Sequence, residues 1–225
     1  MLNKRLLTEF WMSCISRCNF KIIKLSLLML LISGCASEKF GDDNSHKKTA
    51  PSSLPKGPVA LVLGDSATET AKELSAYNRR YKSGVTGDLY MDSIRQAYVD
   101  TSDPEFSIAE VIRMLDAKFG KVERFQTVDE AAHGGSKLIV KLDMHTRLIN
   151  DRSSDPASYL SLEFSNLNHQ YLGTLESMSR RTLTPVWTGY KREKEIVSDI
   201  RQQGEIQAHA LELLERKLSD VTLED

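Results

Sequence analysis

From residue 57 onward the apolar positions follow two alternating periods, and each period predicts an element. Pro58-Val59-Ala60-Leu61-Val62-Leu63 is a short apolar run closed by Gly64, the pattern of a buried strand. Over 66–82, Ala67, Ala71, Leu74, Tyr77 and Tyr81 fall near one face of a helix, and Gly84 and Gly87 end it. A second short helix is predicted over 88–99, with Leu89, Met91, Ile94 and Tyr98 as its apolar positions. Ser107 is placed to cap a third helix, whose stripe is Ile108, Val111, Ile112, Leu115 and Phe119 before Gly120.

The period then shortens to two. Residues 121–125 alternate, 129–132 allow one helical turn before Gly134-Gly135, and 137–143 alternate with Leu138, Val140 and Leu142 on one face. Residues 159–164 and 171–178 flank the polar stretch 165–170 and predict a β-hairpin. Pro185 and Gly189 interrupt the next stretch. Residues 193–218 return to a helical period through Ile196, Ile200, Ile206, Ala210, Leu213, Leu214 and Leu218, and Gly204 inside weakens that helix by up to about 1 kcal/mol. Strand, helices, strands, hairpin and long helix predict an α/β (α+β) domain. It has a single mixed sheet, helices packed on one face and a long carboxyl-terminal helix.

The amino end follows another logic. Residues 25–32, Leu-Ser-Leu-Leu-Met-Leu-Leu-Ile, are too short to cross a bilayer, which takes about twenty residues. Arg17, Lys21 and Lys24 precede the run and the small residues Ser33 and Gly34 come after it, the order of a secretory signal peptide. Ile32-Ser33-Gly34-Cys35 resembles the lipobox of bacterial lipoproteins, with Ile where Leu is commoner. The resemblance implies cleavage before Cys35, diacylglycerol on its sulfur and an acyl chain such as palmitate on its new amino group. Several chains make attachment to the membrane effectively permanent where one is marginal. Ala36 rather than Asp after the cysteine implies, for a Gram-negative cell, the outer membrane and a domain facing the periplasm. Met12 is an alternative start that gives a more usual signal length.

Three segments are therefore expected: a signal peptide over 1–34, acylated Cys35 with a flexible tether over 35–56, and one globular domain over 57–225. The tether is read from its Ser, Lys, Asp, Asn, Gly and Pro content. The domain's layout is similar to that of small envelope lipoprotein modules. Examples are the amino-terminal domain of the Tol-system translocation protein, the penicillin-binding-protein activator and the curli secretion lipoprotein. The resemblance is one of layout and carries over no functional residue.

Composition changes its meaning once the signal is set apart. The 225 residues carry a formal charge of −1, but the chain from Cys35 holds 25 basic and 30 acidic side chains, about −5. An acidic exported domain is a poor nucleic-acid binder. Cys14 and Cys18 leave with the signal, and the remaining Cys35 is acylated, so neither a disulfide nor cysteine chemistry is expected.

Candidate chemistry is sparse. Gly64-Asp65-Ser66 after the first strand resembles the first block of GDSL-type serine esterases, which implies Ser66 as nucleophile. That family takes its base from an Asp-x-x-His near the carboxyl end, which this chain lacks, and has Leu where Ala67 stands. His209 is the histidine nearest that end, and Asp65 and Ser66 also suit a turn and helix start. Asp143 and His145 share a strand face, but two ligands do not make a metal site. His133 and His169 fall on loops. Arg79-Arg80 with Tyr77 and Tyr81, and Arg180-Arg181 with Lys191-Arg192, are basic clusters suited to a headgroup or glycan. Trp187 and Tyr190 suit an interface anchor. No cofactor fingerprint is present, so neither cofactor nor metal is expected. The expected function is a membrane-anchored, non-enzymatic binding or assembly module with an envelope protein partner. The alternatives are a divergent ester hydrolase using Ser66 and a carrier of a lipid or other apolar ligand.

Overall fold

The computed structural model describes residues 49–83, 89–150, 153–187 and 189–224. The signal peptide, Cys35, tether residues 36–48, and Gly84 and Gly87 lie outside the described residues.

The chain runs β1 (Ser53–Pro55), β2 (Val59–Leu63), α1 (Asp65–Ser83), α2 (Asp92–Asp100), α3 (Phe106–Phe119), β3 (Val122–Phe125) and α4 (Val128–His133). It continues through β4 (Leu138–Arg147), β5 (Ala157–Ser165), β6 (Tyr171–Arg180), α5 (Glu193–Ser219) and β7 (Thr222–Glu224). Five strands form one mixed sheet in the order β3-β2-β4-β5-β6. β2 lies parallel to both β3 and β4, whereas β4, β5 and β6 are antiparallel neighbours. This is the α+β class that the periodicities predict, with the long helix closing the chain.

Alternation sorts the sheet into two faces. Val59, Leu61, Leu138, Val140, Leu142, Met144, Leu160, Leu162 and Phe164 face the main core, where α1, α3 and α5 supply Ala67, Val111, Leu115, Ala210 and Leu214. The intervening Ala60, Val62 and Ile139 face the other way and meet Ala131 of α4. Both faces of β2 are thus covered, which is why it reads as an unbroken apolar run. A second cluster joins Tyr81, Tyr98, Ile149, Val186, Ile196 and Ile200 across α1, α2 and the start of α5.

Three sequence expectations need correction. The tether does not extend to residue 56: Ser53–Pro55 pairs in parallel with Thr222–Glu224, and Leu54 is 1% exposed within the main core. Thr49 reaches further along the fold, accepting from the Thr174 N–H at 2.9 Å. Gly173, at φ 155°, makes room for this segment, because a Cβ there would lie 2.7 Å from the Pro51 backbone nitrogen. Leu54 is the one signal of this in the sequence, an apolar residue whose polar neighbours mask its destination. Ser107 does not cap α3; it lies within the helix and is buried, while Glu105 holds the cap position without a side-chain bond. The second helix begins at Asp92, so Leu89 and Met91 precede it and are exposed instead of forming its apolar stripe.

Polar groups also occupy the interior. Gln203 and Gln207 sit on the buried face of α5, where apolar periodicity leaves gaps. The Gln203 carbonyl accepts from the Ile149 N–H at 3.1 Å and its amide donates to the Thr101 hydroxyl. Gln207 donates to the Thr101 carbonyl at 3.1 Å. The two glutamines tie α5 to the end of α2 and to the chain leaving β4, meeting the requirement that buried polar groups be paired.

Candidate functional site

Gly64-Asp65-Ser66 lies where β2 passes into α1. The Gly64 N–H continues the sheet by donating to the Leu142 carbonyl at 2.8 Å. A Cβ at position 64 would fall 2.0 Å from Asp143 Oδ1, so glycine is the residue that fits beside this carboxylate. Ser66 Oγ donates to Asp143 Oδ1 at 2.6 Å, and Lys141 Nζ lies 3.2 Å from Asp143 Oδ2. The hydroxyl therefore faces a carboxylate already matched by a cation, and no imidazole among the described residues bonds to it. His209 sits elsewhere, its Nδ1 3.2 Å from Ser179 Oγ of β6, the edge strand on the other side of β4 and β5. Three strand spacings separate β6 from β2, about 14 Å. Ser66 and His209 are not brought together as nucleophile and base.

Asp143 and His145 do share the sheet face turned from the main core, as alternation requires. His145 lies across from Tyr159 with ring centroids 6.3 Å apart, and the Tyr159 hydroxyl donates to Glu176 at 2.5 Å. His133 is not on a loop as its sequence suggests but ends α4, its Nδ1 2.7 Å from the Asp129 carbonyl one turn earlier, while the loop residue His169 has its Nε2 3.9 Å from the Asp129 carboxylate. Among the described residues no three His, Cys, Asp or Glu side chains are grouped to hold a metal.

The basic clusters separate. Arg80 lies over the Tyr81 ring, 5.8 Å from its centroid. Arg181 reaches Gln202 at 2.7 Å and Glu205 at 3.9 Å along α5. Lys191 is largely covered and pins the preceding segment to α5 through Asp199 at 2.7 Å and the Thr184 carbonyl at 3.1 Å. The Arg192 backbone N–H is held by Glu195 in a capping box.

The aromatic residues converge. Tyr81 of α1 stacks on Tyr98 of α2 with centroids 4.0 Å apart, and Tyr77 closes edge-on at 5.8 Å. Tyr90 packs against Tyr81 at 5.7 Å and against Trp187 at 5.1 Å. Around this stack the surface is apolar: Leu89 is 80% exposed, Met91 61%, Trp187 41% and Tyr190 97%. Sequence reasoning finds Trp187 and Tyr190 as an anchor but assigns Leu89 and Met91 to a buried stripe. The whole group lies beside the start of α5. The chain at Thr49 meets the start of β6, and β6 runs antiparallel to α5, as Arg181 beside Gln202 and Lys217 beside the Glu176 carbonyl show. The 27 residues of α5 measure about 40 Å, so Thr49 and the aromatic group mark opposite ends of the domain.

A cleft of about 330 Å³ opens between α1 and α3 at the carboxyl ends of β2 and β3. Sequence reasoning does not find it as a site. Its floor is Leu63, Ala71 and Ile108, and Lys72, Arg79 and Arg124 line it.

The described residues thus define an α+β domain with a mixed five-stranded sheet, an apolar aromatic end and a cation-lined cleft. No family model and no curated protein matches the sequence. Among solved structures the fold is similar to a dodecamer of a PelC point variant from Paraburkholderia phytofirmans, at 13% identity over 79% of this chain and 97% of that one, with a TM-score of 0.41. It is also similar to the hypothetical protein CT253 of Chlamydia trachomatis, at 14% identity over 73% of this chain and 96% of that one, with a TM-score of 0.35.

Proposed function

We propose that the protein is a lipid-anchored module of the bacterial envelope, held at the outer membrane by acylated Cys35, whose periplasmic domain binds a protein partner and carries out no catalysis. The observation that carries the binding role is the exposure of Leu89 and Met91, the sequence neighbours of Tyr90, together with Trp187, which packs on Tyr90 of the aromatic stack, and of Tyr190 three residues further on. Rigid aromatic anchors of this kind concentrate binding energy in interfaces, and isolated domains seldom leave them unused. The lipobox Ile32-Ser33-Gly34-Cys35 supports the anchor. No helix among the described residues is long and apolar enough to cross a membrane.

The two ends of the domain favour a protein partner over the bilayer. The described chain enters at Thr49 beside β6, and the aromatic end lies about 40 Å away along α5.

The test places a photo-crosslinking residue at position 190, and in parallel at 212 on α5, in intact cells. A discrete protein adduct from position 190, absent at 212 and lost with Trp187→Ala, is the expected result. Identical adducts from both positions, or none from 190, would overturn the partner surface. The anchor is tested separately: a fatty-acid probe should label the natural chain and leave Cys35→Ala unlabelled.

A further inference from the structure

We infer that the cleft between α1 and α3 is a binding site for a small organic anion, a phosphate or carboxylate carried on a short apolar body. The inference stands apart from the partner surface and uses different residues.

Topology places the cleft where parallel sheets bind ligands. β2 and β3 are adjacent and parallel, but their chains leave in opposite directions. After Leu63 the chain enters α1 on the main core face, and after Phe125 it enters α4 on the other. Such a reversal parts the connections and opens a crevice beyond the carboxyl ends of the strands.

The lining is cationic where a core would be apolar. Arg124 pairs in register with Leu61, which is fully buried, and comes two residues after Val122 on the same face. The alternation that packs partly buried Val122 against the main core therefore directs Arg124 toward the cleft. Thr68, Lys72, Ser75 and Arg79 recur at helical spacing along one side of α1 and all line the same space. Lys72 and Arg79 have no ion-pair partner among the described residues, and Arg124 meets Glu105 at only 3.5 Å. Three cations facing one carboxylate leave an excess of positive charge over the apolar floor. The volume lies at the small end of ligand sites, enough for an anionic group with about one ring or a short chain.

Isothermal titration of the full chain in neutral detergent tests this with phenyl phosphate, benzoate and benzyl alcohol. At least one of the two anions should bind in the millimolar range or tighter, with benzyl alcohol at least about tenfold weaker, and the tighter anion identifies the preferred group. Lys72→Gln, Arg79→Gln and Arg124→Gln should each weaken that anion about tenfold. Arg201→Gln, an exposed cation on α5, should not. Glu105→Gln, which removes the competing carboxylate, should tighten binding. Failure of both anions to bind, equal binding of the alcohol, or affinity unchanged in the Lys72→Gln, Arg79→Gln double variant would overturn the site.

Discussion

The Ser66 hydroxyl donates to the Asp143 carboxylate at 2.6 Å, and Gly64 leaves the space in which that carboxylate lies. Residues that resemble the start of an esterase motif are here a fastening between the first helix and the central strand β4. Gly64→Ala should destabilise the domain by about 1–3 kcal/mol, because the new methyl group displaces Asp143. In an Asp143→Ala background the same change should cost less than half as much. Urea denaturation of the two single variants and the double variant measures the difference. Equal costs in both backgrounds would show that Asp143 is not what excludes a side chain at position 64.

Ser66→Ala removes a bond to a charged acceptor and should lower stability by about 1–2 kcal/mol. Hydrolysis of a p-nitrophenyl ester should not change. Ester turnover that disappears with the Ser66 hydroxyl would instead revive the hydrolase alternative.

Leu54→Ala should be far costlier than its polar surroundings imply, about 2–5 kcal/mol, because the side chain is 1% exposed in the main core. A chain beginning at residue 57 should lose a comparable amount, since it also removes the strand that pairs with β7. A thermal or urea transition unaltered by either change would return residues 49–56 to the tether.

These contrasts separate what the sequence carries locally from what it does not. β2, the hairpin and α5 are legible because periodicity and turn chemistry act within a few residues of each other. The pairing of Ser53 with Thr222 is not, because three-residue strands have no period and their partners are far apart in sequence. The exposure of Leu89 and Met91 is hidden when the helix start is misplaced by a few residues. The cleft residues are visible one by one, Arg79 as part of a basic pair. Their convergence depends on the topological reversal after β2 and β3, which no local pattern encodes.

Gln203 illustrates the same limit inside the core. A long polar side chain at an inward helical position looks like an interruption, yet it bonds Ile149 and Thr101 at once. Gln203→Leu should cost about 1–3 kcal/mol despite its gain in apolar character, because the buried Ile149 N–H loses its acceptor and the Thr101 hydroxyl, which still donates to the Ala97 carbonyl, loses its donor. Amide exchange at Ile149 should accelerate in this variant while the β5–β6 hairpin stays protected.

Tyr77 gives the domain an alkaline limit. Burial first, then the neighbouring Tyr81 and Tyr98, pushes its phenol far above the ordinary value of 10.0, and its hydroxyl donates to the Ile149 carbonyl at 2.6 Å. The folded state therefore keeps a proton that the unfolded chain releases near pH 10. A pKa raised on folding contributes stability that is fully present below the unfolded value and lost as pH rises above it. Urea midpoints should hold from pH 7 to 9 and fall beyond pH 10, with Tyr77 contributing a slope of up to about 1.4 kcal/mol per pH unit. Tyr77→Phe should lower stability by about 1 kcal/mol at pH 8 through the lost hydrogen bond, and should make the fall between pH 10 and 11.5 shallower. The stability curves of the two proteins converge with rising pH if Tyr77 carries the effect. Parallel curves would assign the alkaline loss to other groups.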